Sequence, residues 1–144
     1  MSENQGYVYR SFFERMYEWY CSMCDENVAF DRDMVAEFYN PGAKMITNNE
    51  VLYEGYDSLN DHWEKMKDHF EEMRLTEPFF QYIEAGDKVI IEYIIEGKTK
   101  AGDPGKVFVI AVYTMRDGKS SEMREVVDII GFGKNLGGAI EVEQ

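Results

Sequence analysis

The residue of this sequence with the clearest chemical potential is Asp128, a single carboxylate inside the apolar run Val126-Val127-Asp128-Ile129-Ile130. A strand with apolar residues at both its odd and its even positions is typically covered on both faces. We therefore expect Asp128 to be partly buried, where a carboxylate becomes a candidate general acid or base. The alternative interpretation is a structural anchor that accepts hydrogen bonds from nearby side chains.

Two further residue types could assist such a carboxylate. His62 precedes Trp63 near the inner edge of a predicted helix, where it could form an acid–base pair with Asp128. Tyr20 lies in the apolar stripe of the first predicted helix, where its hydroxyl could donate to a ligand carbonyl. The alternatives are a solvated boundary histidine and a tyrosine that only packs in the core. The candidate catalytic set is thus Asp128, His62 and Tyr20.

Candidate ligand contacts are aromatic residues and the neighbours of Asp128 on its strand. They are Tyr17, Trp63, Tyr93, Phe108, Tyr113, Arg124 and Val126. Because side chains alternate along a strand, Arg124, Val126 and Asp128 share one face, which we expect to face the pocket. A register error of one residue would move all three to the opposite face.

Neither cysteine indicates a metal or redox site. Cys21 and Cys24 form a Cys-x-x-Cys motif near the end of a predicted helix, and the sequence has no second pair to complete a zinc site. We interpret them as two helix thiols, which fits a reducing, cytoplasmic setting. No acidic or cysteine residue stands at metal-ligand spacing as a third ligand beside His62 and His69, so we predict no metal.

Length and charge restrict the class of protein. The 144 residues suit one domain with a substantial core, and 44% hydrophobic with 15% aromatic content excludes disorder as the main state. The formal net charge of −13, from 28 acidic and 15 basic residues, argues against nucleic acid and anionic membrane surfaces as partners. No signal peptide or membrane-length apolar run is visible.

The order of elements predicts an α+β domain. Helical spacing of apolar residues predicts helices over about 8–24, 31–39 and from 57 to about 72. Strands are predicted at 43–48, 50–54, 77–84, 88–100, 106–115 and up to 130, with breaks at Pro41-Gly42 and Pro78 and a tight turn at Asp117-Gly118. A curved sheet wrapped around the first and third helices would form a half-open cone with an apolar interior.

Three segments resemble the nuclear-transport-factor-2-like (NTF2-like) superfamily, within it the SnoaL-like, polyketide-cyclase type. They are an aromatic first helix followed by the stretch Met34 to Ala43, the helix entry Tyr53-Glu54-Gly55-Tyr56-Asp57-Ser58-Leu59, and the hairpin from Arg116-Asp117-Gly118-Lys119 through Glu122-Met123-Arg124-Glu125 to Asp128. Together they extend over residues 8–133, which we take as the domain. Residues 1–7 and 134–144 are then a polar and an acidic tail.

The resemblance implies a cone-shaped pocket, a homodimer through the outer face of the sheet, and neither metal nor organic cofactor. Several enzymes of the superfamily use an acid on the last strand, and Asp128 matches that position. We therefore expect a small-molecule-binding protein, with cofactor-free isomerase- or cyclase-like chemistry on an apolar carbonyl compound as one function. The alternative is a non-catalytic module that binds a ligand or another protein.

Overall fold

The computed structural model describes residues 6–25, 27–28, 31–76 and 79–133. Most of the two predicted tails, residues 1–5 and 134–144, lies outside this part. None of the helices in the described ranges is long and apolar enough to span a membrane.

Within the described ranges, three α-helices form where the apolar spacing predicts them. They are α1 (Arg10–Cys21), followed by the 3-10 turn Ser22–Cys24, α2 (Arg32–Phe38) and α3 (Tyr56–His69). The Asp31 carboxylate caps α2 by accepting a hydrogen bond from the Met34 backbone N–H at 3.0 Å. On α3, the predicted inner stripe Leu59, Trp63 and Met66 is buried.

Seven strands of the described residues form one curved sheet, which confirms the predicted α+β class. They are β1 (Tyr39–Thr47), β2 (Glu50–Glu54), β3 (Phe70–Leu75), β4 (Gln81–Ala85), β5 (Lys88–Thr99), β6 (Pro104–Arg116) and β7 (Lys119–Gly131). The order is β2-β1-β7-β6-β5-β3, and β4 also pairs with β5. β1 and β7 run parallel, while the other pairs are antiparallel.

Several boundaries differ from the prediction, and two of these differences affect the packing. The third helix ends at His69, because Phe70 begins β3 and packs edge-on against Phe132 at 5.1 Å between ring centroids. The predicted break at Pro41-Gly42 lies within β1. There the pairing with β7 shifts register and both residues are exposed, so a proline without a donor N–H is tolerated.

A one-residue bulge in the last hairpin decides which face of β7 is buried. Met115 lies opposite Ser120, but Thr114 lies opposite Glu122, so two residues of β7 oppose one of β6. Directly opposite residues of an antiparallel pair share a face. Without the bulge, Asp128 would lie opposite the buried Val107; with it, Asp128 lies opposite Phe108 on the other face.

The core lies between the helices and the concave face of the sheet, called here the inner face. On β7 the inner face carries Met123, Glu125 and Val127, whereas Arg124 and Val126 point outward. Three glycines lie side by side across the sheet, Gly97 opposite Gly105 and Gly105 opposite Gly131. A Cβ on Gly97 would collide with the Glu72 carbonyl oxygen, so the close approach of β3 and β5 requires glycine there.

Candidate functional site

A small cavity of about 30 Å³ lies inside the cone, between α1, α3 and the inner face. Its wall is mainly apolar. The flexible part consists of four methionines, Met45, Met66, Met73 and Met123. The aromatic part consists of Tyr20, Phe70 and Tyr93, and the polar part of Thr47, His62 and Glu125. This volume has room for roughly two water molecules.

Glu125 supplies the carboxylate of this cavity. It lies on β7 beside Thr47 of β1, and the Thr47 Oγ1 hydroxyl donates a hydrogen bond to Glu125 Oε2 at 2.7 Å. Burial raises the pKa of Glu125 to about 7, although the hydrogen bond from Thr47 acts in the opposite direction. At neutral pH the protonated and ionised forms are therefore both populated, as a general acid or base requires.

His62 and Tyr20, two of the three predicted catalytic residues, also line the cavity. His62 is buried on α3, and its ring packs against Tyr53 at 4.5 Å and Trp63 at 4.7 Å between centroids. Burial raises the pKa of Tyr20, and the negative charge of Glu125 raises it further, so its hydroxyl stays protonated and can donate. The structure thus places an acid, an imidazole and a phenol around one space.

Tyr17 and Tyr113 belong to the core behind this cavity. Their hydroxyl oxygens lie 2.5 Å apart in a buried hydrogen bond between α1 and β6. The ring of Tyr17 also packs on Tyr93 at 4.7 Å, and the two side chains share a hydrogen bond. Burial raises the pKa of all three tyrosines, which keeps them neutral. This cluster fixes α1 to the sheet.

The expected position of Asp128 inside the cone is wrong. Asp128 is exposed on the outer face, and Arg124, Val126 and Phe108 also point outward. Arg124 donates to the Asn49 side-chain oxygen at 3.2 Å, and Val126 is 66% exposed. For the three β7 residues the bulge is the physical reason, because it shifts β7 by one residue and exchanges its two faces. Phe108 lies on β6 and points outward because it alternates with the buried Val107 and Val109.

Of the other predicted ligand contacts, Tyr93 lines the cavity, while Trp63 is buried beside it against Tyr20, with centroids 4.8 Å apart. Glu125, which the sequence reasoning missed, belongs to the strand that drew attention to Asp128. The sequence offers one signal, the alternation of side chains along β6. The polar residues Lys106 and Thr114 indicate that the even-numbered positions of β6 face outward. Glu125 then faces inward only if a bulge shifts β7 by one residue against β6.

The described residues contain no cluster of three or more histidine, cysteine or acidic side chains that could hold a metal ion. Cys21 and Cys24 are unlinked by a disulfide and half-buried, and the Cys24 thiol donates to the Phe70 carbonyl oxygen at 3.5 Å. Burial raises the pKa of Cys24, which disfavours the reactive thiolate.

A second concave surface lies on the outer side of the sheet. This outer groove has a volume of about 350 Å³, and its wall includes Phe80, Ile94, Phe108, Ile110, Val126 and Asp128. Three of these apolar side chains, Phe80, Ile110 and Val126, are more than half exposed. Exposed apolar groups clustered in this way are typical of an interaction surface.

Comparisons with known proteins agree with this architecture. The SnoaL-like domain family matches residues 9–123. Among proteins with curated functions, none matches the sequence.

Solved structures share the fold at low identity. A protein assigned as a SnoaL-like polyketide cyclase from Jannaschia sp. CCS1 has a TM-score of 0.66 and 19% identity, covering 83% of this chain and 84% of that one. An NTF2-like protein of unknown function from Exiguobacterium sp. 255-15 has a TM-score of 0.68 and 15% identity, covering 81% of this chain and 97% of that one. TsrD from Streptomyces laurentii has a TM-score of 0.63 and 16% identity, covering 84% and 91%. The chain therefore belongs to the SnoaL-like domain family, and it has the predicted NTF2-like fold.

Proposed function

We propose that the interior cavity binds a small, mainly apolar molecule and that Glu125 exchanges a proton with it. The main support for this proposal is the Glu125 carboxyl group, which lies in the wall of an apolar cavity and has its pKa raised to about 7. A group with a pKa near the working pH is well suited to both give and accept a proton. Isomerase- or cyclase-like chemistry on an apolar carbonyl compound would use this property.

The neighbours of Glu125 suit this chemistry. When a base removes a proton beside a carbonyl group, negative charge develops on the carbonyl oxygen and needs a donor. Tyr20 and His62 line the same cavity, and the Tyr20 hydroxyl remains protonated. Glu125 would then act as the acid–base group, with Tyr20 or His62 as the donor to the oxygen.

The cavity must expand to hold such a molecule, and its methionines provide the means. Met45 and Met123 lie side by side on β1 and β7, while Met66 faces them from α3 and Met73 adjoins from β3. A methionine side chain has three rotatable bonds and repacks around different shapes at small cost. Rotation of these side chains would convert the space of about 30 Å³ into a larger pocket without breaking the sheet.

Hydrogen–deuterium exchange of a simple ketone tests the proposal without a known substrate. Cyclohexanone in D₂O is incubated with the protein, and loss of its α-proton signal is followed by NMR. The wild type should accelerate the exchange, and Glu125→Gln should abolish the acceleration. Asp128→Asn removes a negative charge from the same strand on the opposite face, so it should exchange like the wild type. Equal exchange with Glu125→Gln and the wild type would refute the role of Glu125.

We further propose, as a second function, that the outer groove mediates a homodimer. Its support is the cluster of Phe80, Ile110 and Val126 on the outer face, each more than half exposed. Sedimentation equilibrium of the wild type should give twice the mass of the 16.8 kDa chain. Ile110→Glu should give the mass of one chain, because a charge would replace an apolar contact. Val51→Glu at the sheet edge, at a site of similar exposure (56%), is the control. A monomeric wild type would refute the dimer.

A further inference from the structure

The charge balance of the interior cavity is one-sided. Glu125 is the single carboxylate among the described residues that line it, and none of those residues is lysine or arginine. Arg124, next to Glu125 in sequence, is exposed and bonded to Asn49, and Lys44 on the neighbouring strand β1 is also exposed. Thr47 gives the carboxylate a hydrogen bond but no positive charge. A half-buried carboxylate in an apolar wall gains most from a partner that brings a positive charge.

The rest of the wall suits a cation with alkyl substituents. Tyr20, Phe70 and Tyr93 supply aromatic rings, whose faces attract positive charge. The four methionines supply polarisable, apolar contacts for alkyl groups. The chain as a whole carries a formal charge of −13, so its field raises the local concentration of cations and repels anions.

We infer that the cavity selects a small alkylammonium ion, with its ammonium group against the Glu125 carboxylate and its alkyl groups among the rings and methionines. This inference rests on the proposed use of the interior cavity as a small-molecule site, and it adds the charge class of the ligand. The ionised form of Glu125 binds the cation, whereas the protonated form favours a neutral carbonyl or hydroxyl compound.

The preference must depend on pH. The ionisable groups around Glu125 are Tyr20 of α1, Tyr39 of β1, His62 of α3, Tyr93 of β5 and Tyr113 of β6. Burial raises the pKa of the four tyrosines, so they stay neutral in the relevant range. Protonation of Glu125 below its pKa of about 7 removes the negative charge. This weakens the binding of a cation as the pH falls.

Three probes with the same carbon skeleton separate charge from shape. Isopropylamine is a cation at pH 8, while isopropanol and acetone are neutral and nearly identical in size. Binding is followed through the ε-methyl NMR signals of Met45, Met66, Met73 and Met123 in protein labelled with ¹³C at methionine. At pH 8 the ammonium ion should bind about ten-fold more tightly than isopropanol, because a charged hydrogen bond replaces a neutral one. The preference should disappear at pH 5.5.

Two variants assign the effect to one carboxylate. Glu125→Gln keeps the shape of the side chain and should abolish the preference for isopropylamine at pH 8. Asp128→Asn changes the net charge by the same amount on the outer face and should retain it. If isopropanol or acetone shifts the methionine signals and isopropylamine does not, the cation inference is wrong while the interior site remains. If none of the three shifts these signals, the interior site itself is refuted.

Discussion

Thr47 and Glu125 lie side by side on the parallel strands β1 and β7, joined by a hydrogen bond of 2.7 Å from the threonine hydroxyl to the carboxylate. The bond opposes the effect of burial on the Glu125 pKa. The Thr47 hydroxyl therefore lowers the Glu125 pKa and shifts the balance between protonated and ionised Glu125 toward the ionised form.

Replacing Thr47 with valine tests this balance. Thr47→Val keeps the volume but removes the donor, so we expect the pKa of Glu125 to rise above 7 by about one unit, the equivalent of one hydrogen bond to a charged group. Carboxyl ¹³C NMR of labelled glutamate measures the titration. Thr114→Val on β6, whose hydroxyl bonds to Lys88 rather than to the cavity, is the matched control. An unchanged Glu125 titration in Thr47→Val would contradict the assigned role of the hydroxyl.

Glu125 should also make folding pH-dependent. Its pKa is raised from 4.5 to about 7 in the folded chain, so the folded state binds more protons than the unfolded state between these values. Its contribution to stability is therefore full below pH 4.5 and is lost as the pH rises to about 7.

The neutral variant Glu125→Gln removes this loss. The difference in unfolding free energy between Glu125→Gln and the wild type should be larger at pH 8 than at pH 4.5, in favour of the variant, by up to about 3 kcal/mol. This value follows from about 1.4 kcal/mol per unit of pKa shift. Urea denaturation at the two pH values measures the difference. A stability difference that is the same at both would show that Glu125 titrates normally.

The buried tyrosines make unequal contributions to stability. Tyr17 shares hydrogen bonds with both Tyr113 and Tyr93, so Tyr17→Phe leaves two hydroxyls to find other partners. Tyr113→Phe leaves Tyr17 bonded to Tyr93. We expect Tyr17→Phe to cost about 2 kcal/mol and Tyr113→Phe about half of that, as buried groups lose their partners. Thermal and urea unfolding of the two variants and their combination give the coupling. Equal costs would contradict the shared arrangement.

The surroundings of Gly97 and Gly42 predict different stabilities for their glycine-to-alanine variants. Gly97→Ala places a methyl group against the Glu72 carbonyl oxygen, so β3 and β5 must separate, at a cost of about 2 kcal/mol or more. Gly42→Ala has open space and no positive φ, and it should be neutral or slightly stabilising. Circular dichroism melting curves compare them. A harmless Gly97→Ala would mean that the sheet does not need this close approach.

The sequence predicted the helices and long strands better than it predicted the site. Apolar stripes such as Leu59, Trp63 and Met66 are local, and local spacing alone places them on the inner side of a helix. The same helical spacing brings Tyr20 and His62 to the cavity wall.

The predicted site residues of β7 were placed wrongly because their orientation depends on one bulge. Spacing along β7 groups Arg124, Val126 and Asp128 correctly on one face, but it does not say which face is buried. The extra residue between Ser120 and Met123 exchanges the faces, so the interior acid is Glu125. The position of a bulge depends on pairing between strands, which composition and periodicity do not specify.

The parallel pairing of β1 with β7 has a consequence for how the chain folds. The meander from β5 to β7 joins strands that are neighbours in sequence, whereas Thr47 must find Glu125 across a loop of 78 residues. Closing so long a loop costs entropy before any contact repays it, so such pairings tend to form late. The hydrogen bond that tunes the cavity would then be completed only when the cone closes, which makes the protonation state of Glu125 a marker of the finished fold.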